Sequence, residues 1–131
     1  MAFSYVIDKT LGRTLVTGEG TTSYDEIAAL VDRLIHDPDY EPTAPLLADC
    51  RTLDYLATYD EALRYRDLLA GLKDNFRGPI AVVVTGTARF GVTRIVSTLL
   101  DLAGVNLFAF QSLEAAERWL EAPDATDLHG A

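Results

Sequence analysis

Eight residues lying between an apolar run and a helical pattern, Gly86-Thr87-Ala88-Arg89-Phe90-Gly91-Val92-Thr93, have the glycine spacing of a loop that cradles phosphates. Such a loop needs a lysine to reach the terminal phosphates, and Val92 stands in its place. Nucleotide hydrolysis is therefore not supported. The spacing fits a strand-to-helix turn, in which Gly86 permits a close bend and Thr87 caps the helix that follows. Free amides at that helix start, with Arg89 beside them, could still hold an anion.

No other constellation is complete. Cys50 would need a histidine base to act as a nucleophile, and the two histidines, His36 and His129, fall at the end of the first helix and in the C-terminal tail. His36 fits better as a partner of the helix macrodipole, and Cys50 as a small core residue. Asp49, Asp54 and Asp60 stand where a turn and a helix start use carboxylates for local hydrogen bonds, and no acid/base pair follows from their spacing. A single cysteine excludes an internal disulfide and any cysteine-based zinc cluster. No metal and no cofactor are implied, and the chain is expected not to be an enzyme. Tyr55, Tyr59 and Tyr65 gather around the start of the second helix, with Leu53 and Leu56 in the connection before it. So apolar a connection is either a binding surface, to which tyrosines bring large, rigid contact area, or a flap packed on the core.

At 131 residues the chain has the length of one domain with a core of its own. Ile80 to Val84 is as long as any purely apolar stretch and far short of the roughly 20 residues that span a bilayer. Met1 to Asp8 alternates polar and apolar residues and lacks the features of an export signal, which leads to an expectation of a cytoplasmic protein. Twenty acidic against eleven basic residues, a formal charge of -9, make nucleic acid and an anionic membrane surface poor partners. A homodimer is compatible with the sequence.

The elements that must position these residues follow from periodicity and punctuation. Phe3 to Asp8 and Arg13 to Gly18 alternate about the turn Lys9-Thr10-Leu11-Gly12 and predict a β-hairpin. Ser23 and Glu26 have capping-box spacing ahead of a helix bearing Ile27, Leu30, Val31, Leu34 and Ile35, which Asp37-Pro38 ends. Leu46 to Cys50 reads as a strand buried on both faces. A second capping box, Thr58 with Glu61, opens a helix with Ala62, Tyr65, Leu69, Leu72 and Phe76 on its apolar face, closed by Gly78-Pro79. Ile80 to Thr85 is the next strand. Thr87 to Ala103 is a helix with Ile95, Val96, Leu99 and Leu102 inward, stopped by Gly104. Val105 to Phe110 is the last strand, and Ser112 caps a final helix carrying Leu113, Ala116, Trp119 and Leu120. Residues 122–131 read as a flexible polar tail after a single domain spanning 1–121. The order ββαβαβαβα predicts an α/β fold, with a five-stranded mixed sheet, the first strand antiparallel at an edge, and four helices packed on it.

In this arrangement Ala81-Val82-Val83-Val84, Phe90-Gly91 with Arg94, Val105-Asn106-Leu107-Phe108 and Glu114-Ala115-Ala116-Glu117-Arg118-Trp119-Leu120 resemble the SpoIIAA-like superfamily, which includes STAS domains and bacterial STAS/SEC14-type proteins. The likeness covers Phe3 to Glu121 and rests mainly on core and capping residues. It implies a fold, and with it a non-enzymatic interaction or regulatory module, or a SEC14-like binder of a small apolar or anionic metabolite. The anti-sigma-factor antagonists of the superfamily carry a phosphorylated serine in an Asp-Ser-Ser-Gly motif, whose equivalent here is Ala57-Thr58-Tyr59-Asp60. The resemblance leaves Thr58 as a phosphorylation candidate, but the motif is absent, and a helix-cap role explains that residue without a switch.

Function is expected along the rim made by the C-terminal ends of the parallel strands, where helix N-termini converge. That rim collects Glu19 to Thr21, Cys50 to Thr58, Thr85 to Arg89, and Gln111 with Ser112. Arg51, Tyr55, Thr58, Tyr59, Thr85, Gly86, Thr87 and Arg89 are its candidates for ligand or partner contact. A cavity behind Leu53 to Thr58 would mark a ligand binder, and an exposed patch there without a cavity would mark a partner surface.

Overall fold

The computed structural model of the protein describes residues 2–122. In chain order it contains β1 (Phe3–Asp8), β2 (Arg13–Thr21), α1 (Tyr24–Ile35), β3 (Leu46–Asp54), α2 (Tyr59–Gly71), a 3-10 turn (Lys73–Asn75), β4 (Ile80–Val83), α3 (Thr87–Leu102), β5 (Leu107–Phe110) and α4 (Leu113–Glu121). The five strands form one sheet in the order β1-β2-β3-β4-β5, antiparallel for β1 with β2 and parallel for every other pair. Neighbours in the chain are thus neighbours in the sheet. A monotonic order with crossovers of one hand sends all three connecting helices to the same face.

The packing shows that division. Phe3, Val16, Leu46 and Ile80 from the sheet meet Leu30, Leu34, Ala62, Tyr65, Val96 and Leu100 from α1, α2 and α3 in the larger core. On the opposite face α4 alone brings Ala116, Trp119 and Leu120 against Leu47, Ala81, Val83 and Phe110. Trp119 stacks on Phe108, with ring centroids 4.8 Å apart, and tilts against Phe110 at 5.6 Å. The buried pair Leu46 and Leu47 points to opposite faces of β3, the mark of a strand covered on both sides.

Several boundaries differ from those the sequence predicts. β2 runs on to Thr21 and β3 to Asp54, because the two pair again beyond a register shift between Thr17 and Glu19. That second stretch joins Glu19 to Thr52, Gly20 to Leu53 and Thr21 to Asp54. The polar Arg51-Thr52 hides this extension from an apolar-run reading. β4 ends at Val83 and β5 begins at Leu107, both shorter than expected. α2 stops at Gly71, and Phe76 reaches the core by way of the 3-10 turn rather than from the helix.

In α3 the inward stripe contains Val92, Val96 and Leu100, whereas Ile95 is 41% exposed and Leu102 84% exposed. Apolar residues wrap more than one face of this helix, so the 3.6-residue period fixes its type but not its rotation. Ser23 accepts from the Glu26 amide at 3.3 Å, the serine half of its expected capping box. His36 is the C-cap of α1, its ring nitrogen 2.8 Å from the Asp32 carbonyl oxygen. The predicted tail from Pro123 to Ala131, with His129, lies outside the described residues; Ala122 closes α4 through its amide to the Arg118 and Trp119 carbonyls.

Candidate functional site

Where the parallel strands end, β3 delivers a short connection, Tyr55 to Thr58, into α2. Thr58 holds the far end of it. Its hydroxyl accepts from the Glu61 amide at 3.1 Å and the Glu61 carboxylate accepts from the Thr58 amide at 3.0 Å, a complete capping box. Arg89, in the first turn of α3, holds the near end, with Nε donating to the Tyr55 carbonyl at 3.2 Å and a terminal nitrogen to Asp54 at 3.0 Å. Between these anchors Tyr55 turns its ring inward, its hydroxyl 2.6 Å from that of Tyr65 on α2. Burial raises both phenols above their ordinary value, and for Tyr65 the bond to Tyr55 adds to it. Neither ionises near neutral pH.

The other rim candidates take different positions. Arg51 is engaged by Asp49 through two bonds of 2.9 Å, and the guanidinium holds that carboxyl below its usual range. Thr85 donates to the Arg51 carbonyl at 2.9 Å, tying β3 to the turn after β4. Gly86 bends that turn with φ +89 and is itself the N-cap of α3, without a side-chain cap bond. Thr87 is therefore the first residue of the helix and not its cap, since the left-handed backbone at Gly86 sets the entry one residue earlier. Tyr59 is 62% exposed on the first turn of α2. Thr58 and Tyr59 thus face solvent while Tyr55 and Arg89 face inward.

Behind this connection, between the sheet and α1, α2 and α3, lies a cavity of about 230 Å³. Its wall is built from apolar side chains of all three helices and of the strands, from Leu46, Ile80 and Leu107 at the strand starts to Cys50, Val84 and Tyr55 towards the rim. Among the described residues Arg89 is the one charged residue in that wall. Leu56 lines the cavity and is also 51% exposed, and Arg89 lines it with a third of its side chain in solvent. Residues that touch both the interior and the solvent mark the mouth, which places it at the connection after β3.

Cys50, Leu69 and Val96 are among the wall residues that a sequence reading assigns to packing. They have no separate signal, because a side chain beside a void and one beside another side chain are drawn from the same apolar types. The Cys50 thiol is pushed up to about 12, chiefly by burial and secondarily by the Asp49 carboxylate. A rise from 9 leaves roughly a thousandfold less thiolate near neutral pH. Alkylation of the folded protein by iodoacetamide at pH 8 is therefore expected to be slower than in denaturant by about that factor; comparable rates in the two states would show that the thiol is open to solvent.

Over most of its length the chain is similar to the crystal structure of an uncharacterized DUF3478-family protein from Shewanella loihica, described as having a SpoIIAA-like fold. The match has a TM-score of 0.60 at 17% sequence identity and covers 91% of this chain and 94% of that one. The fold of this protein is SpoIIAA-like. No protein-family model matches the chain, and no curated protein matches it. The similarity therefore carries the architecture, five strands with β1 antiparallel and four helices, and leaves function to the site. Among the described residues no helix is long and apolar enough to cross a membrane.

Both halves of the Thr58 capping box are formed. Thr58→Ala is expected to lower the unfolding free energy by about 1 kcal/mol, while Thr58→Asp, which can accept the same amide, should be nearly neutral. Urea titration of both variants checks this. Equal losses for alanine and aspartate would show that the cap bond does not stabilise α2.

Proposed function

We propose that this protein is a small-molecule binding domain that takes an apolar guest between its sheet and its three-helix layer. The cavity behind Leu53 to Thr58 carries this reading. Left empty and sealed, a void of that size would cost on the order of 5 kcal/mol by the scaling seen when core side chains are removed. That is a large share of the stability of a domain this small. An apolar guest recovers the loss by restoring contact to the wall.

Size bounds the guest. An apolar void of about 150 Å³ admits benzene, so this cavity suits roughly nine non-hydrogen atoms. Transfer of that many methylenes from water, at about 0.8 kcal/mol each, corresponds to dissociation constants of about 10 μM. The reading favours a binder over a partner module because Leu56, the exposed apolar residue of the connection, is itself part of the cavity wall.

The test is a titration with two small apolar probes, toluene and n-propylbenzene, each followed by NMR. Saturable binding with one site is expected. Cys50→Phe, which fills the cavity from β3, should abolish it while the variant melts cooperatively. Absence of saturable binding by either probe, or binding that Cys50→Phe leaves intact, would overturn the proposal.

A further inference from the structure

Resting on that reading, we infer that the guest is an amphipathic monocarboxylate of roughly eight to ten carbons, its chain in the cavity and its carboxylate on Arg89. The chain length follows from the volume, with the head group left at the mouth. The head follows from the one charge in the wall. Arg89 sits where the apolar lining ends, and three of its five N–H groups are engaged among the described residues, on Tyr55, Thr85 and Asp54.

Of those partners Asp54 is the replaceable one. Its side chain is 77% exposed, and an ion pair so open to water contributes little to stability. A carboxylate tethered to a buried chain arrives at Arg89 at high effective concentration and accepts the same charge-assisted hydrogen bond from the terminal nitrogen that Asp54 accepts. Exchange of Asp54 for the ligand therefore keeps the guanidinium paired. Asp54, freed, returns to solvent at small cost. The contact between Nε and the Tyr55 carbonyl is unaffected by the exchange, so the connection need not open for the head group to dock.

The experiment compares octanoate with 1-octanol, which has the same chain and no charge, by isothermal titration calorimetry on the full chain. Octanoate is expected to bind at least tenfold more tightly. Arg89→Gln should remove that advantage while changing the affinity for 1-octanol by less than twofold, and Asp54→Asn, which removes the competing carboxylate, should tighten octanoate alone. Equal binding of the two ligands by the native protein would overturn the assignment of the head group and leave the cavity reading standing. So would an Arg89→Gln variant that loses both ligands together, because Arg89 would then act through the loop it holds. Failure of octanoate, 1-octanol and the apolar probes alike would overturn both.

Discussion

Trp119→Ala is expected to lower the unfolding free energy by about 3–5 kcal/mol, enough to leave a domain of this size partly unfolded at 37 °C. The reason is architectural. α4 is the one helix described on its face of the sheet, and Trp119, 1% exposed, supplies the largest fully buried side chain there. Removing the indole strips Phe108 and Phe110 of their ring partner and opens the face over Leu47, Ala81 and Val83. Partial collapse cannot refill that space, because among the described residues no second helix stands beside α4 to move in. Trp119→Phe should cost much less. It keeps an aromatic ring in the stack and removes an indole N–H that is buried without an acceptor among the described residues. Urea denaturation followed by far-ultraviolet circular dichroism gives both values. A loss under about 1 kcal/mol for Trp119→Ala would mean that α4 adds little to the core.

The second large effect is expected at Gly78. A Cβ placed there would lie 2.5 Å from the Thr43 carbonyl oxygen and 2.6 Å from that of Ala44, far inside ordinary nonbonded contact. Both obstacles are backbone, and they cannot swing aside. The segment around Thr43 is held by Arg77 and Gly78 donating to the Pro42 carbonyl at 2.8 and 3.2 Å, and Leu46 begins β3 by donating to Pro79. Gly78→Ala must therefore push apart the two chains that deliver β3 and β4 to the sheet, with an expected loss of about 3 kcal/mol, the upper end of the overpacking range. Gly91→Ala is the matched control. That glycine sits exposed within α3 with nothing near a new Cβ, and alanine there should stabilise by up to about 1 kcal/mol through helix propensity. Similar destabilisation by the two changes, read from the same melts, would show that crowding is not what makes Gly78 necessary.

The element types and their order were legible because each rests on local chemistry. Ser23, Thr58 and Ser112 each cap the helix whose start they predict, and the apolar faces of α1 and α4 repeat at helical spacing. Rotation of α3 was not legible. Val92, Ile95, Val96, Leu99, Leu100 and Leu102 cover too wide an arc for spacing to choose between Leu100, fully buried, and Leu102, exposed. The ends of β2 and β3 depend on each other across a register shift and so on pairing partners that a window of residues does not contain. The placement of Arg89 and Tyr55 on one rim follows from topology and could be anticipated. Their meeting at the mouth of a cavity could not, since an unfilled volume is a property of how three helices stand over the sheet.

The sequential order of the strands bears on how the fold is reached. Because each parallel strand lies beside its predecessor, every loop that must close spans a single intervening helix, and the sheet can grow one βα unit at a time from the N-terminal hairpin. The face that carries Leu47, Ala81 and Val83 stays open through all of that growth, since α4 follows β5 in the chain. A transient sheet with one greasy side exposed is the species most prone to self-association during refolding. We expect pulsed hydrogen exchange to find β2, β3 and β4 protected before α4, and refolding yield to fall with protein concentration; α4 amides protected first would reverse that order.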